Sequence, residues 1–368
     1  MKFSKLLSPH TLGKVKLKNR VVMAPLTRSR ADAATNVPNS LMATYYGQRA
    51  GAGLIVTEGT SPSPNGLGYP RIPGCYNRAQ AEGWKCVTDA VHEKGGRIFL
   101  QIMHCGRVSH PDNMPAGGRV LAPSAVPFKE LKMYVDGKGE LDIPLATPMT
   151  TTDITEVVEE YANTARLAVE VGGFDGVEIH CANGYLLEQF ISPVTNKRDD
   201  QFGGSLENRL RLVRNVTEAI VAAIGADRVG MRVSPYGVLN EMGNYDSTEE
   251  THVRLAEIVS EIGIVYLHTV DHVGMGAPEV PDSIKQKLRA TFKNNLILSG
   301  NYDALEADKD ISADKGDLVA FGRPFISNPD LVERFRENAR LALPEQETFY
   351  TPGPEGYIDY PFLVKAGA

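Results

Sequence analysis

The chain has 368 residues, of which 42% are hydrophobic and 23% are charged, and its formal net charge at pH 7 is −6. A protein that binds the nucleic-acid backbone carries a surplus of Lys and Arg, so this acidic balance argues against a nucleic-acid partner. No apolar stretch is as long as a bilayer is thick, which argues against a membrane span.

Eight short runs of apolar and β-branched residues recur along the chain, and each predicts a buried strand. A small hairpin around Gly13 is predicted before the first run. In chain order the runs are RVVMA (20–24), GLIVT (53–57), GRIFLQ (96–101), GVEIH (176–180), RVGMRVS (228–234), VYLHTV (265–270), NLILSG (295–300) and DLVAFG (317–322). In the fourth run, Val177 and Ile179 are expected on one face of the strand and Glu178 on the other.

Segments with helical spacing separate these runs. An Asp153…Glu156 pair and a Ser247…Glu250 pair predict the first turns of two helices, and residues 208–224 and 329–341 carry apolar residues at helical spacing. Strand–helix alternation with near-continuous apolar strands is typical of a parallel sheet covered by helices. The sequence therefore predicts an α/β protein: residues 1–368 form one (β/α)8 TIM barrel.

One connection is much longer than the others. After the third predicted strand, an excursion at about 105–152 contains Asp136-Gly137-Lys138-Gly139, which is typical of a hairpin turn. Long loops after barrel strands lie over the C-terminal mouth of the barrel. We expect this excursion to cover the mouth as a lid.

The residues that follow the strands are the candidate site residues, because the C-terminal strand ends of a barrel surround one pocket. After the fourth run, His180 and Asn183 can both donate hydrogen bonds to one acceptor atom, and Tyr185 carries a phenol proton at neutral pH. On these residues alone the alternative is structural. His180 and Asn183 would then cap a loop, and Tyr185 would pack on the core.

Two further strand-end groups indicate a cofactor. Glycines with a neighbouring Arg after the last two runs offer bare N–H groups and a cation to a phosphate, as many isomerases and aldolases also do. Gln101 suits the edge of a planar imide, and Arg232 would stabilise the negative charge of a reduced flavin. A structural ion pair with Glu178 or another carboxylate is the alternative for Arg232.

Four stretches, in matching order and spacing from about Leu6 to Tyr360, resemble the Old Yellow Enzyme family of flavin-dependent ene-reductases, including its N-ethylmaleimide reductase-like members. They are RVVMAPLTRSRA, LQIMHCGRVSH, EIHCANGYLLEQFISPVTNKRDDQFGGSLENRLRL and AFGRPFISNPDL. The resemblance implies a barrel that binds FMN non-covalently and is reduced by NADPH or NADH. It assigns the cofactor contacts to Pro25, Leu26, Thr27, Gly59, Gln101, Arg232, Gly300, Asn301, Gly322 and Arg323.

The resemblance also implies the reaction. His180 and Asn183 would hold the oxygen of an α,β-unsaturated carbonyl or nitro compound, hydride would come from flavin N5, and Tyr185 would protonate the product in a ping-pong cycle. Tyr69, Met103 and Tyr350 would contact the substrate. A flavin-dependent reductase of nitroesters or nitroaromatics is the alternative within the same family.

The chain departs from the family pattern at two positions. Met103 stands where relatives often have Trp, and Cys105 where they have Thr. A flexible Met leaves a more pliable wall, so we expect a different substrate preference. Three other features are expected to be structural: Trp84, His104 and the segment 196–204.

Other function classes fit less well. The four cysteines, Cys75, Cys86, Cys105 and Cys181, are scattered without a C-x-x-C pair, which argues against the iron–sulfur dehydrogenases that share this barrel and favours a reducing cytoplasm. A non-flavin phosphate-binding barrel would need a strand-end Lys or Glu base, and no good candidate stands out. A non-enzymatic binding protein would not retain intact strand-end residues. The sequence leaves open the physiological substrate and whether the chain is a monomer or a homo-oligomer.

Overall fold

The computed structural model describes residues 2–364. In chain order its strands are β1 (His10–Leu12), β2 (Val15–Leu17), β3 (Val21–Met23), β4 (Leu54–Val56), β5 (Ile98–Ile102), β6 (Leu121–Ala122), β7 (Lys132–Val135), β8 (Gly139–Asp142), β9 (Thr147–Pro148), β10 (Gly176–Cys181), β11 (Val229–Val233), β12 (Tyr266–Thr269), β13 (Asn295–Ser299) and β14 (Leu318–Phe321). Its α-helices are α1 (Ser40–Gln48), α2 (Arg78–His92), α3 (Thr151–Glu170), α4 (Leu186–Ile191), α5 (Leu206–Ile224), α6 (Thr248–Ile262), α7 (Asp282–Thr291), α8 (Ala304–Ser312), α9 (Arg323–Ser327) and α10 (Leu331–Glu337).

Eight of these strands close into a parallel barrel in the order β3, β4, β5, β10, β11, β12, β13 and β14, with β14 pairing back to β3. Each of the eight runs identified in the sequence supplies one barrel strand, so the (β/α)8 prediction is confirmed. No helix within residues 2–364 combines the length and the apolar character needed to cross a bilayer.

The barrel strands alternate between two environments. In β10, Val177 and Ile179 belong to the large core between the barrel and its helices, as expected. Glu178 points to the other side, into the barrel, where Gln101 on β5 and His268 on β12 contact it. In β10 this alternation places a charged side chain on the inner face, while Val177 and Ile179 on the outer face are apolar.

The hairpin of β1 and β2 closes the N-terminal end of the barrel. Leu12 and Leu17 are buried in one cluster with residues at the starts of strands, among them Leu54 of β4 and Leu318 of β14. Gly13 lies so close to Val265, just before β12, that a Cβ there would be 2.8 Å from its side chain. The predicted hairpin around Gly13 is therefore confirmed, and it leaves only the opposite, C-terminal end open.

We expect Leu12→Ala to lower the free energy of unfolding by about 2–5 kcal/mol, because it leaves a cavity where the hairpin seals the barrel. Urea unfolding measures this loss. Thr11→Ala is the matched control on the same strand, since Thr11 is exposed and its side chain fills no core. An equal effect of the two substitutions would contradict the plug role of the hairpin.

The predicted first turn of α3 was wrong, whereas that of α6 was right in position, with Ser247 as its N-cap. Helix α3 begins at Thr151, and its capping box joins the Thr150 hydroxyl and the Asp153 carboxylate, so Asp153 is the third helical residue and not the cap. Helix α6 begins at Thr248 after Ser247, whose side chain makes no capping bond. In both helices the apolar periodicity was read correctly, but several polar residues compete for the cap position.

Trp84 and the segment 196–204 are part of the packed scaffold, as expected. Trp84 is fully buried in α2 and donates to the carbonyl of Gly74. In the 196–204 segment, the Asn196 carboxamide bonds the carbonyls of Phe190 and Phe202, and Ser205 then caps α5.

The long excursion after β5 contains two small sheets. Strands β6 and β9 pair in parallel, and β7 and β8 form an antiparallel hairpin. Gly137 and Gly139 at the turn have φ of 73° and 78°, a conformation that favours glycine. The predicted hairpin turn is confirmed.

Candidate active site

The turn after β10 brings His180, Asn183 and Tyr185 together. Asn183 and Gly184 both adopt positive φ, 59° and 78°, which bends the chain sharply between the strand and α4. Tyr185 is the residue before α4, and its ring packs edge-on to His180 with centroids 4.9 Å apart. Local backbone shape therefore clusters the three side chains at the C-terminal end of one strand.

His180 is a neutral hydrogen-bond donor. Its Nδ1 accepts a hydrogen bond from the Ala182 N–H at 3.3 Å, so a neutral ring carries its hydrogen on Nε2. Burial lowers the pKa of His180 well below its usual value, and the nearby charge of Arg232 lowers it further. The ring can therefore donate from Nε2 without being charged.

We expect the His180 ring to remain neutral at pH 6 in the protein with its flavin bound, because its folded pKa is depressed. Histidine ring signals in NMR spectra, assigned to His180 through a His180→Gln variant, would measure this. A ring titration centred near pH 6.5 would contradict the assignment. Stability depends on pH here because the ring has a lower pKa in the folded protein than in the unfolded chain. The neutral ring contributes its full stability above the unfolded pKa of about 6.5, and this contribution is lost as pH falls through the folded pKa.

The carboxamide of Asn183 is not used by the protein. Its backbone is held at both ends, because its N–H donates to the Ser234 hydroxyl at 2.8 Å and its carbonyl accepts from Asn240 Nδ2 at 2.7 Å. Its side-chain Oδ1 is buried and has no hydrogen-bond partner among the described residues. A fixed backbone with a free carboxamide is suited to contacting a ligand.

Tyr185 is held protonated. Its hydroxyl donates to the Tyr69 hydroxyl at 3.1 Å, with the two rings edge to face. Burial, followed by the neighbouring Tyr69, raises the pKa of Tyr185 well above its usual value. The group keeps its proton at neutral pH and can release it only to a strongly basic atom.

Gln101 lies inside the barrel in a network centred on Glu178. The Gln101 Nε2 donates to Glu178 Oε1 at 2.8 Å, and Glu178 Oε2 accepts from Tyr266 at 3.0 Å and from His268 Nδ1 at 2.9 Å. Burial alone would raise the pKa of Glu178, but His268, Arg232 and the Gln101 hydrogen bond lower it below its usual value. An ionised carboxylate thus orients Gln101 and leaves the amide oxygen of Gln101 free.

Arg232 is a buried cation without an ion-pair partner. It lies beside His268 in the barrel register and is 8% exposed. Within residues 2–364, no carboxylate lies within ion-pair distance of it, and its buried Nε has no hydrogen-bond partner. The structural ion pair with Glu178 considered above does not form, although Glu178 is close enough to act on the charge of Arg232.

The glycines expected to hold a phosphate lie on adjacent strand ends. Gly300 follows β13 and Gly322 follows β14, and these strands pair up to Ser299 and Ala320. At Gly322 an added Cβ would lie 3.5 Å from Leu26, which is ordinary van der Waals contact. Arg323, which is exposed, donates to the carbonyl of Gly274, and Asn301 has a φ of 54° beside Gly300.

These observations meet the requirements of a flavin. The edge of the isoalloxazine ring needs an oriented carboxamide and a cation that is free to bind it. The phosphate of the flavin nucleotide needs backbone N–H groups next to glycines. Pro25, Leu26 and Thr27 follow β3 between these two regions, with Leu26 packed against Gly322.

A cavity of about 900 Å³ opens beside this group. Thr27, Tyr69, Tyr185 and Tyr350 line it, together with the β7–β8 hairpin. Arg71 joins three parts of its wall, because it pairs with Asp136 of the hairpin and donates to the carbonyls of Ser29 and Tyr350.

Of the sixteen predicted site residues, Thr27, Tyr69, Tyr185 and Tyr350 line this cavity; the other twelve, Gly59 and Met103 among them, do not. Met103 is 2% exposed and packs with Leu67, Ile72 and Cys105 behind Tyr69 and Tyr185. A Cβ on Gly59 would lie 2.4 Å from the Met103 sulfur. The glycine is therefore required for the packing of Met103, and the roles of both residues toward ligands stay predictions.

The sequence analysis assigned no role to Glu58, a buried carboxylate at the end of a strand. Glu58 follows β4, and burial raises its pKa to about 7. It accepts hydrogen bonds from the Tyr46 hydroxyl and the Arg28 N–H and does not line the cavity.

The sequence analysis also did not identify Glu188 and Ser234, which hold the turn after β10. Glu188 lies within an apolar helical run, so only its burial reveals it.

His104 is hydrogen-bonded, and its structural role stays a prediction. The side chain is buried, its Nδ1 accepts from the Gly106 N–H, and burial lowers its pKa to about 3.

Comparison with known proteins gives one consistent result. Residues 5–342 match the model of the NADH:flavin oxidoreductase / NADH oxidase family. The chain is 40% identical over 377 residues to 12-oxophytodienoate reductase 7 of Oryza sativa subsp. japonica, covering 97% of this chain and 94% of that protein. Morphinone reductase in complex with tetrahydroNAD has a similar structure, with a TM-score of 0.93, 42% identity and 99% coverage of both chains. The old yellow enzyme homologue from Zymomonas mobilis has a TM-score of 0.92 and 38% identity, covering 98% of this chain and 100% of that one.

Proposed function

The chain belongs to the Old Yellow Enzyme family of NAD(P)H:flavin oxidoreductases, which reduce activated C=C bonds, and on this basis we propose how its own residues perform that reaction. The observation that carries the proposal is the cluster of a neutral imidazole, a free carboxamide and a protonated phenol at the end of β10, beside a buried unpaired cation.

The flavin is FMN, and the barrel mouth holds it. Gln101 and Arg232 would bind its pyrimidine edge, Pro25, Leu26, Thr27 and Gly59 would contact its ring system, and Gly300, Asn301, Gly322 and Arg323 would bind its phosphate. When bound, FMN supplies the two-electron chemistry by accepting hydride from a nicotinamide and passing it to the substrate.

His180 and Asn183 bind the electron-withdrawing group of the substrate. The Nε2–H of His180 and the amide N–H of Asn183 donate to one oxygen, whose negative charge grows as the C=C bond is reduced. Donors placed before the reaction starts contribute a few kcal/mol each to the transition state.

Tyr185 delivers the proton. The raised pKa keeps the phenol protonated until a carbanion-like α-carbon forms, and the hydrogen bond to Tyr69 fixes the hydroxyl in the cavity. A positioned general acid of this kind contributes about 10²–10⁴-fold to the rate.

The substrate is an α,β-unsaturated carbonyl or nitro compound of moderate size. The cavity of about 900 Å³ is large enough for a multi-ring molecule. The rings of Tyr69 and Tyr350 form part of the cavity wall, and Met103 supports this wall by packing behind Tyr69. Two relatives are named for the reduction of 12-oxophytodienoate and morphinone, which supports an enone here. Reduction of nitroesters or nitroaromatics is the second candidate, since the same donor pair binds a nitro group.

The excursion at about 105–152 is the lid, within the single barrel domain of residues 1–368. Its β7–β8 hairpin lines the cavity, and the ion pair between Arg71 and Asp136 ties the hairpin to the barrel loops. Either NADPH or NADH serves as reductant. The four cysteines are free thiols, in keeping with the cytoplasm as the compartment.

An anaerobic titration tests the proposed function. The purified protein should be yellow or take up FMN, be bleached by NADPH or NADH, and recover its colour with an enone but not with the saturated ketone. A protein that stays colourless after FMN is offered would overturn the proposal. A preference for nitro compounds over enones would favour the second candidate.

A further inference from the structure

The backbone of the donor turn forms a small anion-binding nest. Asn183 and Gly184 are two successive residues with positive φ, 59° and 78°. The Gly184 N–H donates to Glu188 Oε2 at 2.5 Å. The Asn183 N–H donates to the Ser234 hydroxyl, which in turn donates to Glu188 Oε1 at 2.8 Å. Successive N–H groups in such a turn favour an anionic acceptor.

The acceptor in this nest is an unusual residue for its position. Glu188 is 6% exposed on α4, and no Lys or Arg in residues 2–364 forms an ion pair with it. Three hydrogen-bonding groups compensate its charge. The Gly184 N–H and the Ser234 hydroxyl donate to the carboxylate directly, and the Asn183 N–H acts through Ser234. A buried carboxylate without a cation is costly, so its retention here requires a reason.

We propose that the ionised carboxylate of Glu188 is a positioning residue that holds the Asn183 turn in the shape needed to bind the substrate oxygen. This inference rests on the proposed function, because it assumes that Asn183 is a substrate donor. Glu188 itself touches neither substrate nor flavin; it acts through the two backbone N–H groups and Ser234.

Ionisation of Glu188 is expected to change near neutral pH. Burial raises its pKa to about 7, while the Gly184 and Ser234 hydrogen bonds act in the opposite direction. The other titratable groups around it are Cys181 at the end of β10 and Tyr245 before α6. Burial raises the pKa of each, and the charge of Glu188 adds to the effect. Both therefore remain neutral through this range. Arg209 of α5 bonds the carbonyls of Ile191 and Gly204.

The consequence is a loss of substrate affinity in acid. If only the ionised form holds the turn, about a tenth of the molecules are competent one pH unit below the pKa, and the apparent Kd rises about tenfold. The expected direction is tighter binding at pH 8 than at pH 6.

The test measures the Kd of 2-cyclohexenone, which has no titratable group, for the oxidised holoenzyme by the change in flavin absorbance from pH 6 to pH 8. We expect Kd to be about tenfold higher at pH 6 than at pH 8. In Glu188→Gln the Kd should be high at both pH values, and the pH step should be gone. Glu160→Gln is the matched control, since burial raises the pKa of Glu160 to about 7 as well, and the side chains that act on it, Ser63 and Glu156, are not part of the turn. It should keep the step.

Each outcome decides the proposal. A pH step that persists in Glu188→Gln would overturn it and point to Glu58, a buried carboxylate after β4 whose pKa is raised to about 7. A flat profile in the unsubstituted protein would also overturn it, whether or not the variant folds. Asn183→Ala separates this inference from the proposed function: if it leaves Kd unchanged, the donor role of Asn183 fails as well.

Discussion

Replacing Tyr185 by phenylalanine is expected to slow the re-oxidation of the reduced enzyme by an enone by about 10²–10⁴-fold. Reduction of the same enzyme by NADPH or NADH should be nearly unchanged. The difference arises because only the second half of the cycle requires a proton at the α-carbon, and Tyr185 is a protonated group of the cavity that packs against His180. Anaerobic stopped-flow absorbance of the flavin measures the two half-reactions separately.

The control for this variant is Tyr69→Phe. It removes the hydroxyl that accepts the Tyr185 hydrogen bond but keeps the proton on Tyr185, so its effect on re-oxidation should be much smaller. If both half-reactions of Tyr185→Phe slowed together, Tyr185 would be acting on flavin binding or cavity shape, and the proton-donor role would be wrong.

Replacing Glu178 by leucine is expected to lower the free energy of unfolding by about 3–5 kcal/mol. The substitution removes the shared acceptor of Gln101, Tyr266 and His268, and it leaves Arg232 as a buried cation without a nearby negative charge. Urea unfolding without added flavin measures this loss. The same variant should also bind FMN more weakly, because Gln101 is no longer oriented, and quenching of flavin fluorescence measures that affinity.

Glu160→Leu provides the contrast. Burial raises the pKa of Glu160 to about 7, and one of its carboxylate oxygens has no hydrogen-bond partner. Its removal should therefore leave stability unchanged or increase it. Equal destabilisation by the two substitutions would mean that loss of side-chain packing, and not the network around Glu178, accounts for the effect.

The eight strands and the barrel were predictable because they depend on local pattern. Runs such as GVEIH and DLVAFG are apolar, short and bounded by turn residues, and their repetition with intervening helices restricts the architecture to very few solutions. The same local logic placed Glu178 on the face of β10 opposite Val177 and Ile179. It did not locate the first turn of α3, because Thr150 and Asp153 are both good capping residues and only the backbone geometry chooses between them.

The amino-acid sequence by itself determined the barrel, its open end and the residues that surround it, because closing eight strands brings their C-terminal ends together whatever the loops do. Tertiary structure alone decided which of those residues are free to act. Within residues 2–364 Arg232 has no ion-pair partner, Met103 is buried behind Tyr69, and Glu188 accepts the hydrogen bond of the Gly184 N–H next to Asn183. Each of these facts depends on distances of a few ångströms. The residues concerned are far apart in the chain, or a turn with positive φ brings them together. Hydrogen bonding and desolvation change steeply over such distances, whereas a hydrophobic pattern does not encode them.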